Sequence, residues 1–320
     1  MAESSVREVG GAEPVLLTTA QMAQFAARGF LRFDAVVPQA INRAFLEQVG
    51  DVPEDEITGV GDHYRKVMRS AAVPRVPAGT PLDEAYAEGS PLRALVELPH
   101  VRGAIESLVG PRPTFDHHFL HITFPPRFYL RRDQVPKAQH WHQDSTIDPR
   151  RAFDIQLMYF PHEVTPEMGG TRFLPGSHLR VVSEAAISRY QNIRGQQHMV
   201  CPAGSLLIVH HGIWHGGGMN VGERLRYMFK IRLAPRVRQE GLWDTSDLSG
   251  PPHPQRPIFW TGGQDRENGI AAILTRPEPW FEADTMRLEY INRARFWRYL
   301  TGDATFDADY WLTRIENEPG

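Results

Sequence analysis

Arg224-Leu225-Arg226-Tyr227-Met228-Phe229-Lys230-Ile231-Arg232-Leu233 alternates without a break. Successive side chains of a β-strand point to opposite faces, so Leu225, Tyr227, Phe229, Ile231 and Leu233 form one apolar face. Arg224, Arg226, Met228, Lys230 and Arg232 form the other. Upstream, runs of the same period occupy residues 115–124, 138–144, 154–160, 171–174 and 205–211, separated by Pro and Gly turns. Short, closely spaced strands of this kind predict an antiparallel β-sandwich or jelly roll with helices packed outside. Before residue 115 the period is about 3.6. A Thr-capped helix is predicted from Thr18 to Gly29, a strand at Phe30–Phe33, and a second helix opened by Pro38 and closed by Gly50. Residues 51–90 read as loop-rich and 92–109 as helix. Ser183–Tyr190 reads as a short helix within the strand-rich half.

The composition narrows what such a fold can do. The chain has 320 residues, 35 Lys+Arg against 38 Asp+Glu, 41% hydrophobic and 10% aromatic residues, which suits a closed core and excludes intrinsic disorder and a coiled coil. A net charge of -3 leaves no basic footprint for nucleic acid, so the expected partner is a small molecule. No apolar run is long enough for a membrane span, and Met1–Glu8 is polar and acidic where a signal peptide would be basic and then apolar. The reading is a soluble, cytoplasmic protein in which the single cysteine, Cys201, is a buried inert thiol. Residues 1–14 read as a disordered tail. No internal repeat or linker divides the chain, so residues 1–320 are taken as one domain. Its Pro/Gly-rich and then aromatic segment, 235–320, would supply core, a lid or a homodimer surface.

Eleven of the fourteen histidines fall between His117 and His215, inside the strand-rich half. In His140-Trp141-His142-Gln143-Asp144 the period of two places His140, His142 and Asp144 on one face and turns Trp141 away. An imidazole and a carboxylate so spaced can share a metal, and a histidine from another strand would complete a 2-His-1-carboxylate set that leaves positions open for Fe(II) oxygen chemistry. The composition alone supplies about 0.7 His-x-Asp pairs by chance, so the triplet gains meaning only from its surroundings. Downstream, His210, His211 and His215 compete for the third ligand position. An arginine pointing into the barrel near a metal needs an anion, and its planar fork suits a carboxylate. Arg226 fits that role, whereas Lys230 and Arg232 read as a solvated basic face.

These residues, in order, resemble the phytanoyl-CoA dioxygenase (PhyH) family of Fe(II)/2-oxoglutarate-dependent oxygenases. The resemblance covers about residues 15–235. It rests on Leu17-Thr18-Thr19-Ala20-Gln21 with Gly29-Phe30-Leu31, then Trp141-His142-Gln143-Asp144, then Gly169-Gly170-Thr171-Arg172-Phe173-Leu174-Pro175-Gly176-Ser177-His178, then His215-Gly216. It implies a cupin-like double-stranded β-helix, His142, Asp144 and His215 as iron ligands, and Arg226 on the distal carboxylate of 2-oxoglutarate, with Arg224 as the fallback. It also implies a co-substrate pocket lined by Gln156 and Met158, and O2 as the second co-substrate. Where some relatives carry a lysine on the strand before the motif, this chain offers Phe124. The implied reaction is oxidative decarboxylation of 2-oxoglutarate to succinate and CO2 coupled to hydroxylation of an unactivated C–H bond. The carboxylate of Asp144 favours hydroxylation over halogenation, and leaves desaturation and ring rearrangement open.

Two other classes stand beside this reading: a non-catalytic jelly-roll protein that binds a metal or ligand, and a metal oxygenase that does not use 2-oxoglutarate. Arg226 discriminates, because a site without the co-substrate has no use for its charge. His140 is expected to be packing or a substrate contact, His178 to fix its turn, and Trp141 and Trp214 to pack more than to line the pocket. The substrate is not written in these motifs. Arg127, Arg131, Arg132, Arg150 and Arg151 crowd the nearby loops, where solvated surface is the simpler reading than an anionic substrate.

Overall fold

The computed structural model describes residues 13–50, 56–130, 137–145, 147–150, 152–248, 269–282 and 286–308. In order these form α1 (Thr19–Arg28), β1 (Phe30–Phe33), α2 (Gln39–Val49), α3 (Val60–Val67), α4 (Leu82–Ala85), α5 (Pro91–Glu97), α6 (Pro99–Val109), β2 (Thr114–Thr123) and α7 (Arg127–Leu130). There follow β3 (Ile155–Phe160), β4 (Thr171–Phe173), α8 (Glu184–Ser188), β5 (Gln197–His198), β6 (Ser205–His210), β7 (His215–Gly217), β8 (Arg226–Ala234), α9 (Ile270–Leu274) and α10 (Met286–Thr301). Most of the expected tail, Ser249–Pro254, Tyr310, Trp311, Arg131, Arg132 and Arg151 lie outside the described residues.

Five strands make one antiparallel sheet in the order β1-β6-β3-β8-β2, and three make a second in the order β5-β4-β7. The two face each other as in a jelly roll, with helices outside; among the described residues no ladder joins them into a closed barrel. β8 is the hinge of the argument. It pairs with β2 so that Thr123 lies opposite Arg226 and His121 opposite Met228. It pairs with β3 so that Met158 lies opposite Lys230 and Gln156 opposite Arg232.

Because the side-chain period is two, these registers sort the large sheet into two faces. Leu120, Leu157, Tyr159, Ile208, Phe229, Ile231 and Leu233 pack outward into the main core with Phe25, Phe45, Leu95, Ile105 and Phe296 of the helices. Phe30, Met158, Phe160, Leu207, Val209 and Met228 pack inward against Phe173 of the small sheet. The outer cluster holds the larger number of buried apolar side chains, and removal of such surface from water is the main drive to fold.

Local chemistry explains most boundaries. Thr18 accepts from Gln21 N–H while the Gln21 side chain returns to Thr18 N–H, a capping box that starts α1. The expected helix over 92–109 is instead two. Ser90 caps α5, and Pro99 opens α6 after Leu98 turns extended, because the residue before a proline is pushed out of the helical region. Residues 51–90 hold α3 and α4 as well as loops. The expected strand over 138–144 does not form. Only His142 bridges His215, through paired backbone hydrogen bonds of 3.0 and 2.9 Å. This stretch runs irregularly beside β7, close enough that a Cβ on Gly216 would meet the His140 carbonyl at 2.8 Å. The aromatic C-terminal helix is core: Phe296, Trp297 and Leu300 are buried with the outer-face cluster.

Candidate metal centre

His142 and Asp144 come from the irregular stretch beside β7, and His215 opens β7 itself. Their ligand atoms lie within 4.8 Å of one another, and they are the only such His/Cys/Asp/Glu group among the described residues. His142 Nε2 is 3.5 Å from Asp144 Oδ1, and His215 Nε2 is 3.6 Å from Oδ2. Each imidazole is oriented by its own backbone. His142 Nδ1 donates to the His140 carbonyl at 3.1 Å and His215 Nδ1 to the Ile213 carbonyl at 3.0 Å, which leaves both Nε2 lone pairs facing the carboxylate. Burial, against the pull of Asp144, pushes His215 down to about 4, so its ring is neutral and able to ligate at neutral pH. Burial raises Asp144, but His215, Lys230 and His142 and the Gln156 hydrogen bond outweigh it and hold the carboxyl well below its ordinary range.

The inner face of β8 runs through this centre, and here the expectations need correction. Lys230 is not a solvated surface lysine: it is 9% exposed, with Nζ 3.1 Å from Asp144 Oδ2. Arg232 is not solvated either. It donates to Asp154 Oδ2 at 2.6 Å and reaches Asp116 at 3.2 Å and the Asp144 carbonyl at 3.4 Å. Alternation marked these side chains as a face but carried no sign of which solvent that face meets; the small sheet and the 139–144 stretch cover it. Gln156 and Met158 point inward as expected. Gln156 donates through Nε2 to Asp144 Oδ2, whereas Met158 sits in the apolar layer between the sheets. Phe124 packs with Ile57, Phe128 and Leu225, and the lysine on this sheet is Lys230.

Arg226 is 3% exposed. Its Nη2 donates to Thr123 Oγ1 at 2.7 Å, and its Nε and Nη1 have no hydrogen-bond partner. Burial lowers its pKa to about 10, which leaves it charged at neutral pH. Arg224, the fallback, is exposed before the strand begins. His121 was not singled out by the sequence. It lies on β2 beside the Thr123–Arg226 pair, and burial, with Lys230, His215 and Arg226 nearby, pushes it down to about 3. Its signal was available in principle: it shares the inward parity of Thr123.

The other candidates fall elsewhere. His140 is exposed, pairs with Glu184 at 2.6 Å, and sets its ring edge-on to that of His142 at 5.8 Å. His210 is enclosed by Phe25, Phe153 and Phe296, and His211 Nδ1 is held at Asp154. His178 is buried under α1, as its turn suggested. Trp141 packs with Leu174, Ile187 and Trp214, with the Arg172 guanidinium 4.9 Å over its ring. Arg150 pairs with Asp148 and Arg127 bonds the Glu223 carbonyl.

Two facing antiparallel sheets with a 2-His-1-carboxylate cluster between them define a jelly-roll protein whose described residues can hold one metal ion. The family model for phytanoyl-CoA dioxygenase (PhyH) matches residues 26–228, and the chain belongs to that family. No curated protein matches. Among solved structures the chain is similar to EvdMO1 (17% identity, TM-score 0.46, 68% of this chain), of which it spans half the length. It is similar also to SnoK, a non-haem alpha-ketoglutarate-dependent carbocyclase from nogalamycin biosynthesis (18%, TM-score 0.46, 70% of this chain and 87% of that one). A third is HygX from Streptomyces hygroscopicus with nickel and 2-oxoglutarate bound (14%, TM-score 0.46, 73% and 94%). No helix among the described residues is long and apolar enough to cross a membrane.

Proposed function

We propose that this chain is an Fe(II)/2-oxoglutarate-dependent dioxygenase that hydroxylates an unactivated C–H bond of a small-molecule secondary metabolite, with release of succinate and CO2. The observation that carries this reading is Arg226. A buried guanidinium with two unpartnered nitrogens is costly unless an anion meets it, and its fork matches a carboxylate bidentately. Thr123 Oγ1 takes one hydrogen of Nη2 and anchors the guanidinium, and the second Nη2 hydrogen completes a fork with a neighbouring nitrogen. A dicarboxylate such as 2-oxoglutarate would meet Arg226 through its distal carboxylate and offer its keto-acid end to a metal held by His142, Asp144 and His215.

The donor set fits Fe(II): two imidazoles, one carboxylate, and positions left for other ligands. Bound there, iron supplies the oxidising chemistry with O2 and 2-oxoglutarate. The protein holds Asp144 ionised, keeps the His215 ring neutral, orients both Nε2 atoms toward the carboxylate, and encloses the centre between two sheets. The intact Asp144 carboxylate supports hydroxylation over halogenation.

The test is anaerobic. Fe(II) and 2-oxoglutarate are added to the purified chain and the weak visible charge-transfer band of the chelate is titrated. Wild type should show the band, Asp144→Ala should lose it, and Arg226→Gln should need at least ten-fold more 2-oxoglutarate for half-saturation. A charge-assisted bidentate pair in a buried site is worth about 1.5–3 kcal/mol, and 1.4 kcal/mol is a factor of ten. Bound iron without a band would overturn the 2-oxoglutarate reading and favour a binder or a co-substrate-independent enzyme.

A further inference from the structure

Asp144 is held by one oxygen. Lys230 Nζ lies 3.1 Å from Oδ2 and Gln156 Nε2 donates to the same atom. Oδ1, 3.5 Å from His142 Nε2, has no hydrogen-bond donor of its own among the described residues. The arrangement is built into the sheet. Gln156 and Met158 face Arg232 and Lys230 across the β3–β8 ladder, which brings both donors to the inner face on neighbouring rungs. Gln156 is fully buried and Lys230 nearly so. Lys66 and Lys137, the other two lysines of the chain, are exposed. An ammonium taken out of water needs a partner to offset its desolvation, and the ion pair recorded for Lys230 is with Asp144.

A carboxylate oxygen offers two lone-pair sites, and two donors occupy both on Oδ2. Only Oδ1 is then available to a metal without breaking a hydrogen bond. The count of positions makes this matter. Three single-atom ligands leave three of six positions open; a carboxylate that binds through both oxygens leaves two, which the keto acid alone would fill. We propose that Lys230 and Gln156 are positioning residues that confine Asp144 to one-oxygen coordination and so keep a position open for a third exogenous ligand. The inference rests on the reading of the triad given above. It adds a role for a lysine and a glutamine that do not themselves ligate the metal.

The experiment uses the full chain labelled with side-chain 13C-aspartate and loaded with Co(II) in the absence of 2-oxoglutarate. Metal-induced infrared difference spectra report the separation of the antisymmetric and symmetric carboxylate stretches, which is wide for one-oxygen and narrow for two-oxygen binding. Wild type and Lys230→Arg should show the wide separation. The Lys230→Met/Gln156→Leu double variant should show the narrow one, with Co(II) affinity weakened 10–100-fold, the range for loss of groups that orient a ligand. Should the double variant fail to fold by circular dichroism, Lys230→Met alone decides the matter in the same direction. A narrow separation in wild type, or a folded variant with a wide separation and Co(II) affinity within two-fold of wild type, overturns the inference. A wild type in which Co(II) binds without moving any aspartate band refutes the triad itself, a different outcome.

Discussion

Acidification should unfold this protein through histidines that it buries without charge. His178 is the clearest. It is completely buried, its Nε2 lies 3.2 Å from the Ala26 carbonyl, and its Nδ1 has no partner. The ring of His210 is 5.0 Å away and that of Phe296 6.0 Å. Burial first, and then the charge of Arg293, push His178 from 6.5 down to about 3. The folded pKa is depressed, so between pH 6.5 and 3 the unfolded chain takes up a proton that the native state refuses. Stability is complete above pH 6.5 and falls as the pH drops through that window, by about 1.4 kcal/mol per pH unit for each such group. At pH 5 His178 alone removes about 2 kcal/mol by this relation. His121 and His215, at about 3 and about 4, act in the same direction. Three groups at about 2 kcal/mol each approach the 5–15 kcal/mol that holds an ordinary domain together. Urea unfolding of the chelator-treated protein at pH 7.5 and 5.0 measures the loss directly. In His178→Gln the difference between the two pH values should shrink by about 2 kcal/mol, whatever the substitution costs at pH 7.5. A wild type whose stability changes by less than about 1 kcal/mol over this range, or a His178→Gln difference equal to that of wild type, would refute the reasoning.

Two further outcomes test the packing around the site. Gly169 has φ +62, and a Cβ there would lie 2.0 Å from the Met219 carbonyl oxygen, so Gly169→Ala should lower stability by about 3 kcal/mol, seen as a lower urea midpoint. An unchanged midpoint would mean that this close backbone approach does not exist in solution. Cys201 is 4% exposed and burial pushes its thiol up to about 11, so a thiol reagent at pH 8 should leave the native protein unlabelled and label it promptly in denaturant.

The strands were legible because alternation reports the backbone period directly. Residues 115–124, 154–160, 205–211 and 224–233 each became a strand within a residue or two. The capped helices α1 and α2 were legible for the same local reason. What alternation cannot tell is whether a polar face meets water or a second layer. Lys230 and Arg232 therefore read as surface, although the partners that bury them, Asp144, Asp154 and Asp116, lie 78 or more residues away in sequence. The stretch 138–144 alternates too, yet it serves as an irregular flank to β7, where one backbone pairing with His215 brings the triad together. The triad itself was legible as an ordered motif. The selection of His215 over His210 and His211 came from family resemblance and not from spacing. His121 escaped notice because its parity with Thr123 gains meaning only once β2 is paired with β8 and Thr123 is set opposite Arg226.

The charges on the inner face of β8 explain why its three cations behave differently. Arg232 meets two aspartates and Lys230 meets Asp144, so each is answered within the fold and contributes no demand for a ligand. Arg226, on the same strand, is buried as deeply but has only the neutral hydroxyl of Thr123. Folding therefore bears the desolvation of a guanidinium that no side chain among the described residues offsets. Such a cost is tolerated where a bound anion repays it, and the same linkage implies that the anion stabilises the fold. An enzyme that used the metal alone would be more stable with Arg226 replaced by a neutral residue of similar shape. A site that recruits a dianion would be more stable in its presence, and only while Arg226 is there to receive it.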